Sequence, residues 1–209
     1  MKIALVAATG KIGSHIARRA LQRGHSVTAI VRSARELPPE LAGARLVVAP
    51  IDDAAALAAA ARGHDVLASA FGSAHGGPIA AAAPRVIAAA RAAGVKRVLW
   101  VGGAGNLQIA PGQLLRDAPA FPAAYLPYAL AHGEALAALR AADDLDWTFY
   151  APAAEIGPGE ALGTFRTGRD ALIADASGRS RISYPDYAQA FVDEIETPRY
   201  VKQIATAAY

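Results

Sequence analysis

The chain has 209 residues, no cysteine and a single methionine. Without thiols it has no disulfide, no thiolate metal site and no cysteine nucleophile, and it suits a reducing compartment. An excess of one charge is also missing: 21 Lys and Arg stand against 18 Asp and Glu, and no five like charges run together. The sequence pI of about 9.3 therefore reflects a net +3 scattered over the chain, and nucleic acid is not an expected partner. Long apolar spans are absent as well. The longest stretches free of Lys, Arg, Asp and Glu, residues 66–84 and 98–115, are both broken by glycine and proline, so no membrane span is expected. The first apolar run begins at Ile3, which leaves no room for a signal peptide. The expectation is a cytoplasmic protein that does not engage a membrane, as a monomer or a homodimer.

With 54% apolar and 19% charged residues, the composition is that of one packed domain. Apolar, β-branched runs are expected as strands over residues 2–8, 26–31, 45–49, 65–70, 97–101 and 146–150. Helices are expected between them over 11–23, 54–62, a stretch ending at Gly94, and 123–142, with Asp52 as a cap for the second and Pro84 either in the first turn of the third or kinking it. Continuous apolar strands alternating with helices require a parallel sheet covered on both faces. The fold class is therefore α/β: a doubly wound, mostly parallel, Rossmann-type sheet over a single domain, residues 1–209. Residues 155–209 are expected to form most of a small substrate-side lid. Within them, 155–181 alternates weakly, as a small hairpin does, 185–196 is helical and 200–206 is a last strand.

The chemistry begins where the first strand stops, at Ala7-Ala8-Thr9-Gly10-Lys11-Ile12-Gly13. Unpaired N–H groups at such a helix start converge with the positive end of the helix dipole, and a pyrophosphate fits there. Gly10 allows close approach of the pyrophosphate, and Gly13 allows close helix–strand packing. Ala7 stands where the dinucleotide fingerprint has its first glycine; alanine disfavours positive φ, so an ordinary backbone is expected there. After the second strand come Arg32 and Ser33 with no acidic residue. A guanidinium fork and a hydroxyl suit a 2′-phosphate, which favours NADP(H) over NAD(H).

Further segments follow in order: Gly63-His64-Asp65-Val66, then Ala93-Gly94-Val95-Lys96-Arg97-Val98, then Val101-Gly102-Gly103-Ala104-Gly105. Later come Leu145-Asp146-Trp147-Thr148-Phe149, Pro152-Ala153-Ala154-Glu155-Ile156-Gly157-Pro158-Gly159 and Ile182-Ser183-Tyr184-Pro185-Asp186-Tyr187-Ala188. With the first turn, this set resembles the atypical short-chain dehydrogenases/reductases that bind NAD(P)H. Within them it is most similar to the NADH-flavin reductase group related to biliverdin reductase B and, more distantly, to NmrA-like redox sensors. The resemblance implies that Thr9, Gly10, Lys11 and Ile12, beside Ala7, line the pyrophosphate, and that Arg32 and Ser33 take the adenosine phosphate. It places Asp52 near the adenine, Ala70, Phe71 and Gly72 beside the ribose, and Val101 and Gly102 at the end of the fifth strand. Pro152, Ala153 and Ala154 would edge the nicotinamide.

A proton donor is harder to find. Many short-chain dehydrogenases use Tyr and Lys four residues apart on a helix; the corresponding helix here has no Tyr-x-x-x-Lys. It offers Tyr128 and His132, whose i,i+4 spacing puts them on one face, and a protonated His132 would lower the tyrosine pKa as lysine does. These two are the catalytic candidates. His75, in a glycine-rich loop, is a further pocket candidate, and the histidine spacings form no metal-ligand pattern. Hydride transfer to a flavin (FMN or FAD), a quinone or a similar conjugated small molecule makes the least demand on such a site. Tyr150, Phe165 and Tyr184 are candidates to stack on that acceptor. Two alternatives stay open: a non-catalytic NADP-binding redox sensor, and an epimerase that retains its nicotinamide.

Overall fold

The computed structural model describes residues 1–34, 36–72 and 77–209. Its strands are β1 (Lys2–Val6), β2 (Ser26–Val31), β3 (Arg45–Val48), β4 (Val66–Ser69), β5 (Arg97–Val101), β6 (Gln108–Ala110), β7 (Gln113–Leu114), β8 (Asp146–Pro152), β9 (Glu155–Gly157), β10 (Arg166–Gly168), β11 (Arg181–Ser183) and β12 (Gln203–Ala208). The helices are α1 (Lys11–Gln22), α2 (Ala54–Ala61), α3 (Gly77–Ala93), α4 (Leu126–Arg140) and α5 (Tyr184–Glu196). Among the described residues the central sheet has the order β10-β12-β8-β5-β4-β1-β2-β3. Its pairings are parallel except at the edge, where β10 runs antiparallel to β12. This is the doubly wound α/β fold the alternating pattern predicts.

Side-chain alternation along β1 shows why both faces are covered. Ile3 and Leu5 enter the core formed with α1 and α5, beside Ile16, Tyr187 and Phe191. Ala4 and Val6 enter the other core, with Leu57, Val86 and Leu136 from α2, α3 and α4. Strand order reverses beside β1: its crossover through α1 leads to β2 on one side, while β4 pairs on the other. In such sheets the crevice at the carboxyl ends beside this reversal is where ligands bind.

Several local expectations are corrected. Pro84 lies well inside α3, not in its first turn; it sits on the exposed face, where water can satisfy the carbonyl that its missing N–H leaves free. Asp53, not Asp52, caps α2, its carboxylate accepting from the Ala56 N–H at 2.9 Å. Residues 155–181 form no hairpin: β9 pairs in parallel with β11, and β10 joins the main sheet. The short antiparallel pair β6–β7, between β5 and α4, was not expected from the sequence. Within 155–209, β12 is a strand of the central sheet and α5 packs in its helix layer, so those elements belong to the body of the fold.

Candidate functional site

At the end of β1 the chain turns sharply. The Ala7 N–H donates to the Ile30 carbonyl at 3.0 Å, and the Gly10 N–H donates back to the Ala7 carbonyl at 3.0 Å. Ala7 takes φ of +58°, the left-handed conformation, so the expectation of an ordinary backbone there is overturned. These two hydrogen bonds hold an alanine where glycine would sit without steric cost. The left-handed form costs a non-glycine residue about 1–2 kcal/mol. Ala7→Gly should therefore stabilise the protein by roughly 0.5–1 kcal/mol, after allowing for the greater unfolded-state entropy of glycine. Urea unfolding, read as a higher midpoint at unchanged slope, checks it.

Gly13 sits one helical turn into α1, against the turn it follows. A Cβ there would overlap the Ala7 carbonyl oxygen and lie 3.0 Å from the Ala7 carbonyl carbon and 3.1 Å from the Ala8 Cα. At Gly10, by contrast, the nearest atom would be the Ala7 oxygen at 3.3 Å, and the residue is exposed. Gly10 caps α1 with no side-chain hydrogen bond, and the first turn holds no acidic group. The leading N–H groups of α1 thus face the carboxyl edge with Lys11 exposed and Thr9 and Ile12 half-buried beside them.

The other expected positions lie along the same edge. Arg32 and Ser33 are exposed just past β2, and Asp52, released from capping, is exposed past β3. Ala70 and Phe71 are half-buried and Gly72 exposed past β4, with the Ala70 N–H donating to the Val6 carbonyl at 3.0 Å and so tying that segment to β1. Val101 and Gly102 are buried at the end of β5; a Cβ on Gly102 would overlap the Phe149 ring. Pro152 and Ala153 are enclosed at the end of β8, and Ala154 emerges with its N–H donating to the Ser180 hydroxyl at 3.2 Å. His75 lies outside the described residues. Among the described residues, no group of three or more His, Asp and Glu side chains could hold a metal ion.

Both catalytic candidates are on α4. Tyr128 is half-buried and packs against the core of the α2–α4 face. The His132 ring stands edge-on to Phe149, with centroids 6.2 Å apart, and its Nδ1 is sealed without a hydrogen-bond partner among the described residues. Burial lowers its pKa to about 4. His132 is neutral at physiological pH, and the expectation that its positive charge stands in for a lysine is overturned, because burial disfavours the charged ring.

The stacking candidates also divide. Tyr150 is core, enclosed between Tyr187 and Phe191, so it is not a face for an acceptor. Tyr184 faces His15 at 5.5 Å. Phe165 lines a cavity of about 170 Å³ with Tyr150, Asp193 and Tyr200.

Two residues that sequence reasoning did not single out as site residues tie down the segments after β5 and before α5. Asn106 is buried, donates to the Ala129 carbonyl at 3.1 Å and accepts from Arg116, which pins the segment after β5 to α4. Asp186 is wholly buried; its carboxylate accepts from the N–H groups of Leu162 (2.8 Å) and Gly163 (3.0 Å) and from the Tyr209 hydroxyl (2.7 Å). Ser183-Tyr184-Pro185-Asp186 is a Ser-x-x-Asp start signal for α5, and it marks this residue in the sequence.

Residues 7–198 match the family model described as NAD(P)H-binding. Solved structures resemble the chain over all of its length, three of them as follows. One is a Burkholderia pseudomallei protein (51% identity, TM-score 0.94, all of that chain covered), and another is from Bacteroides thetaiotaomicron (37%, 0.92, 96% covered). The third is from Streptococcus pneumoniae (32%, 0.87, 99% covered). Their names are provisional: an exported protein, an epimerase and an NADH-flavin reductase, in that order. Among the described residues no helix is long and apolar enough to cross a membrane.

Proposed function

The chain belongs to the NAD(P)H-binding family, and from that premise we propose that it is a reductase that passes a hydride from NADPH to a flavin, a quinone or a similar conjugated small molecule. The observation that carries this reading is the carboxyl edge itself. There an uncapped α1 start, the Ala7–Ile12 turn and an exposed Arg32 suit a phosphate-bearing dinucleotide, while the neighbouring α4 offers no charged proton donor. When bound, the nicotinamide supplies the hydride. The chain's own task is to hold the two phosphates at residues 9–12, to keep the rings beside Gly102 and Pro152, and to let the acceptor take its proton from water. The likeness to the S. pneumoniae protein named for NADH-flavin reductase supports the acceptor class. Residues 155–183, tied down by Asp186, serve as the substrate-side lid.

Mixing the protein with NADPH and a panel of FMN, FAD, quinones and aldehydes tests this. Acceptor-dependent oxidation of NADPH is expected; saturable binding with no oxidation would sink the reading. The neutral His132 favours one rival, a nucleotide sensor without chemistry, which requires clearly different affinities for NADP⁺ and NADPH.

Cofactor choice has its own test. A charge-assisted hydrogen bond contributes about 1.5–3 kcal/mol, so Arg32→Ala should weaken NADPH binding roughly 10–100-fold and NADH binding far less. Fluorescence titration with both nucleotides measures it, and equal losses would mean that Arg32 does not read the 2′-phosphate.

A further inference from the structure

His132 is placed with unusual definition. Its ring fills the space that a Gly103 side chain would take, since a Cβ on Gly103 would come within 2.9 Å of its Cδ2. Phe149 backs it edge-on and itself lies under Gly102. The ring is thus pressed against the segment leaving the carboxyl end of β5, one strand from β4 and one from β8. The Asn106–Arg116–Ala129 hydrogen bonds brace the helix that carries it.

The two nitrogens of the ring differ. Among the described residues Nδ1 is sealed with no partner, whereas Nε2 is not one of the sealed, unpartnered atoms and the residue keeps partial exposure. An unpaired acceptor lone pair is easier to bury than an unpaired N–H, so the proton of the ring belongs on Nε2. His132 thereby becomes a single hydrogen-bond donor, its ring held between Gly103 and Phe149 at the carboxyl edge.

We propose that the Nε2–H of His132 receives the carbonyl oxygen of the hydride acceptor, which makes conjugated carbonyl compounds, quinones and the flavin ring among them, the substrate class. This rests on the reductase reading above. In the step, a C–H bond of the dihydronicotinamide breaks and its hydride bonds to the electrophilic atom of the conjugated acceptor. The displaced π pair comes to rest on the carbonyl oxygen, and that oxygen takes a proton from water. His132 keeps its own proton and stabilises the oxygen as charge gathers there.

His132→Met removes the donor at similar volume, and His132→Gln restores one. Losing an oxyanion donor typically costs ~10²–10³ in turnover where its site is fully enclosed, and a loss of roughly 10–100-fold in kcat with 1,4-naphthoquinone is expected at this edge. NADPH affinity should stay within about twofold, and the Gln variant should recover part of the loss. A second readout needs no turnover: ¹⁵N-resolved NMR of the NADP⁺-bound protein. Adding 1,4-naphthoquinone should shift the His132 Nε2 resonance, and adding naphthalene, which lacks the carbonyls, should not. Full turnover in the Met variant, a loss confined to NADPH affinity, or no quinone-specific shift would overturn the proposal. If none of the acceptors supports NADPH oxidation by the wild type yet the shift appears, the reductase reading fails while carbonyl recognition at His132 stands.

Discussion

Gly13→Ala should unfold the nucleotide turn and take NADPH binding with it. The atoms that the new Cβ would meet, the Ala7 carbonyl group and the Ala8 Cα, are backbone, so no side chain can rotate aside. Either α1 moves off the sheet or the left-handed turn at Ala7 opens, and both separate the leading N–H groups of α1 from the end of β1. Overpacking of a tight core costs about 1–3 kcal/mol and occasionally more, and a backbone clash belongs at the upper end. A loss of about 3 kcal/mol in urea unfolding is expected, with NADPH affinity down by at least tenfold. Gly10→Ala is the control. Its nearest neighbour would lie at 3.3 Å, so stability should change by less than about 1 kcal/mol while binding still falls, because the added methyl would stand where the proposed cofactor's phosphate approaches. Equal stability losses at the two glycines would contradict this division of roles.

Glu194→Ala should be at least as damaging to stability and nearly silent in binding. Glu194 and Arg97 are both buried and paired at 2.7 Å, and the Glu194 carboxylate also accepts from the Arg199 and Tyr200 N–H groups at 2.9 and 3.0 Å. Arg97 further donates to the Asp146 carbonyl and the Thr148 hydroxyl. Removing the carboxylate strands a buried guanidinium and two backbone donors; breaking such a pair typically costs about 3–5 kcal/mol. Arg97 and Asp146 begin β5 and β8, the ends of the sheet opposite the nucleotide edge, so NADPH affinity of the folded variant should stay within about twofold. Denaturant unfolding and nucleotide titration on one preparation measure both. A variant of near wild-type stability would mean that the pair is dispensable, and a parallel loss of affinity would mean that the two edges are coupled.

How legible the fold was depended on which force decided each element. Central strands buried on both faces must be apolar throughout, so Arg97–Val101 was readable to the residue, while the first strand was expected over residues 2–8 and stops at Val6 because the chain turns at Ala7. Gly13 was legible because close helix–strand approach tolerates no side chain. Ala7 was not, because its left-handed backbone is held by the hydrogen bond that it donates to β2 and the one that it accepts from Gly10, against the residue's own preference. Asp52 and Asp53 differ by one register step that composition cannot resolve. The spacing of Tyr128 and His132 correctly puts both on α4, but only packing against Phe149 and Gly103 reveals that the His132 ring is largely enclosed and uncharged. Similarly, β9 and β11 are three residues each and lie far apart in sequence, so their parallel pairing left no local pattern to read.

The most direct test is a primary isotope effect. NADPH deuterated at the transferred C4 position would be compared with ordinary NADPH, with 1,4-naphthoquinone or FMN as acceptor. Turnover that depends on the acceptor and slows by roughly two- to fivefold with deuterium is expected if hydride transfer is the chemical step. Tight NADPH binding, with no acceptor oxidising the nucleotide under any condition, would contradict it and leave a nucleotide-binding protein without chemistry.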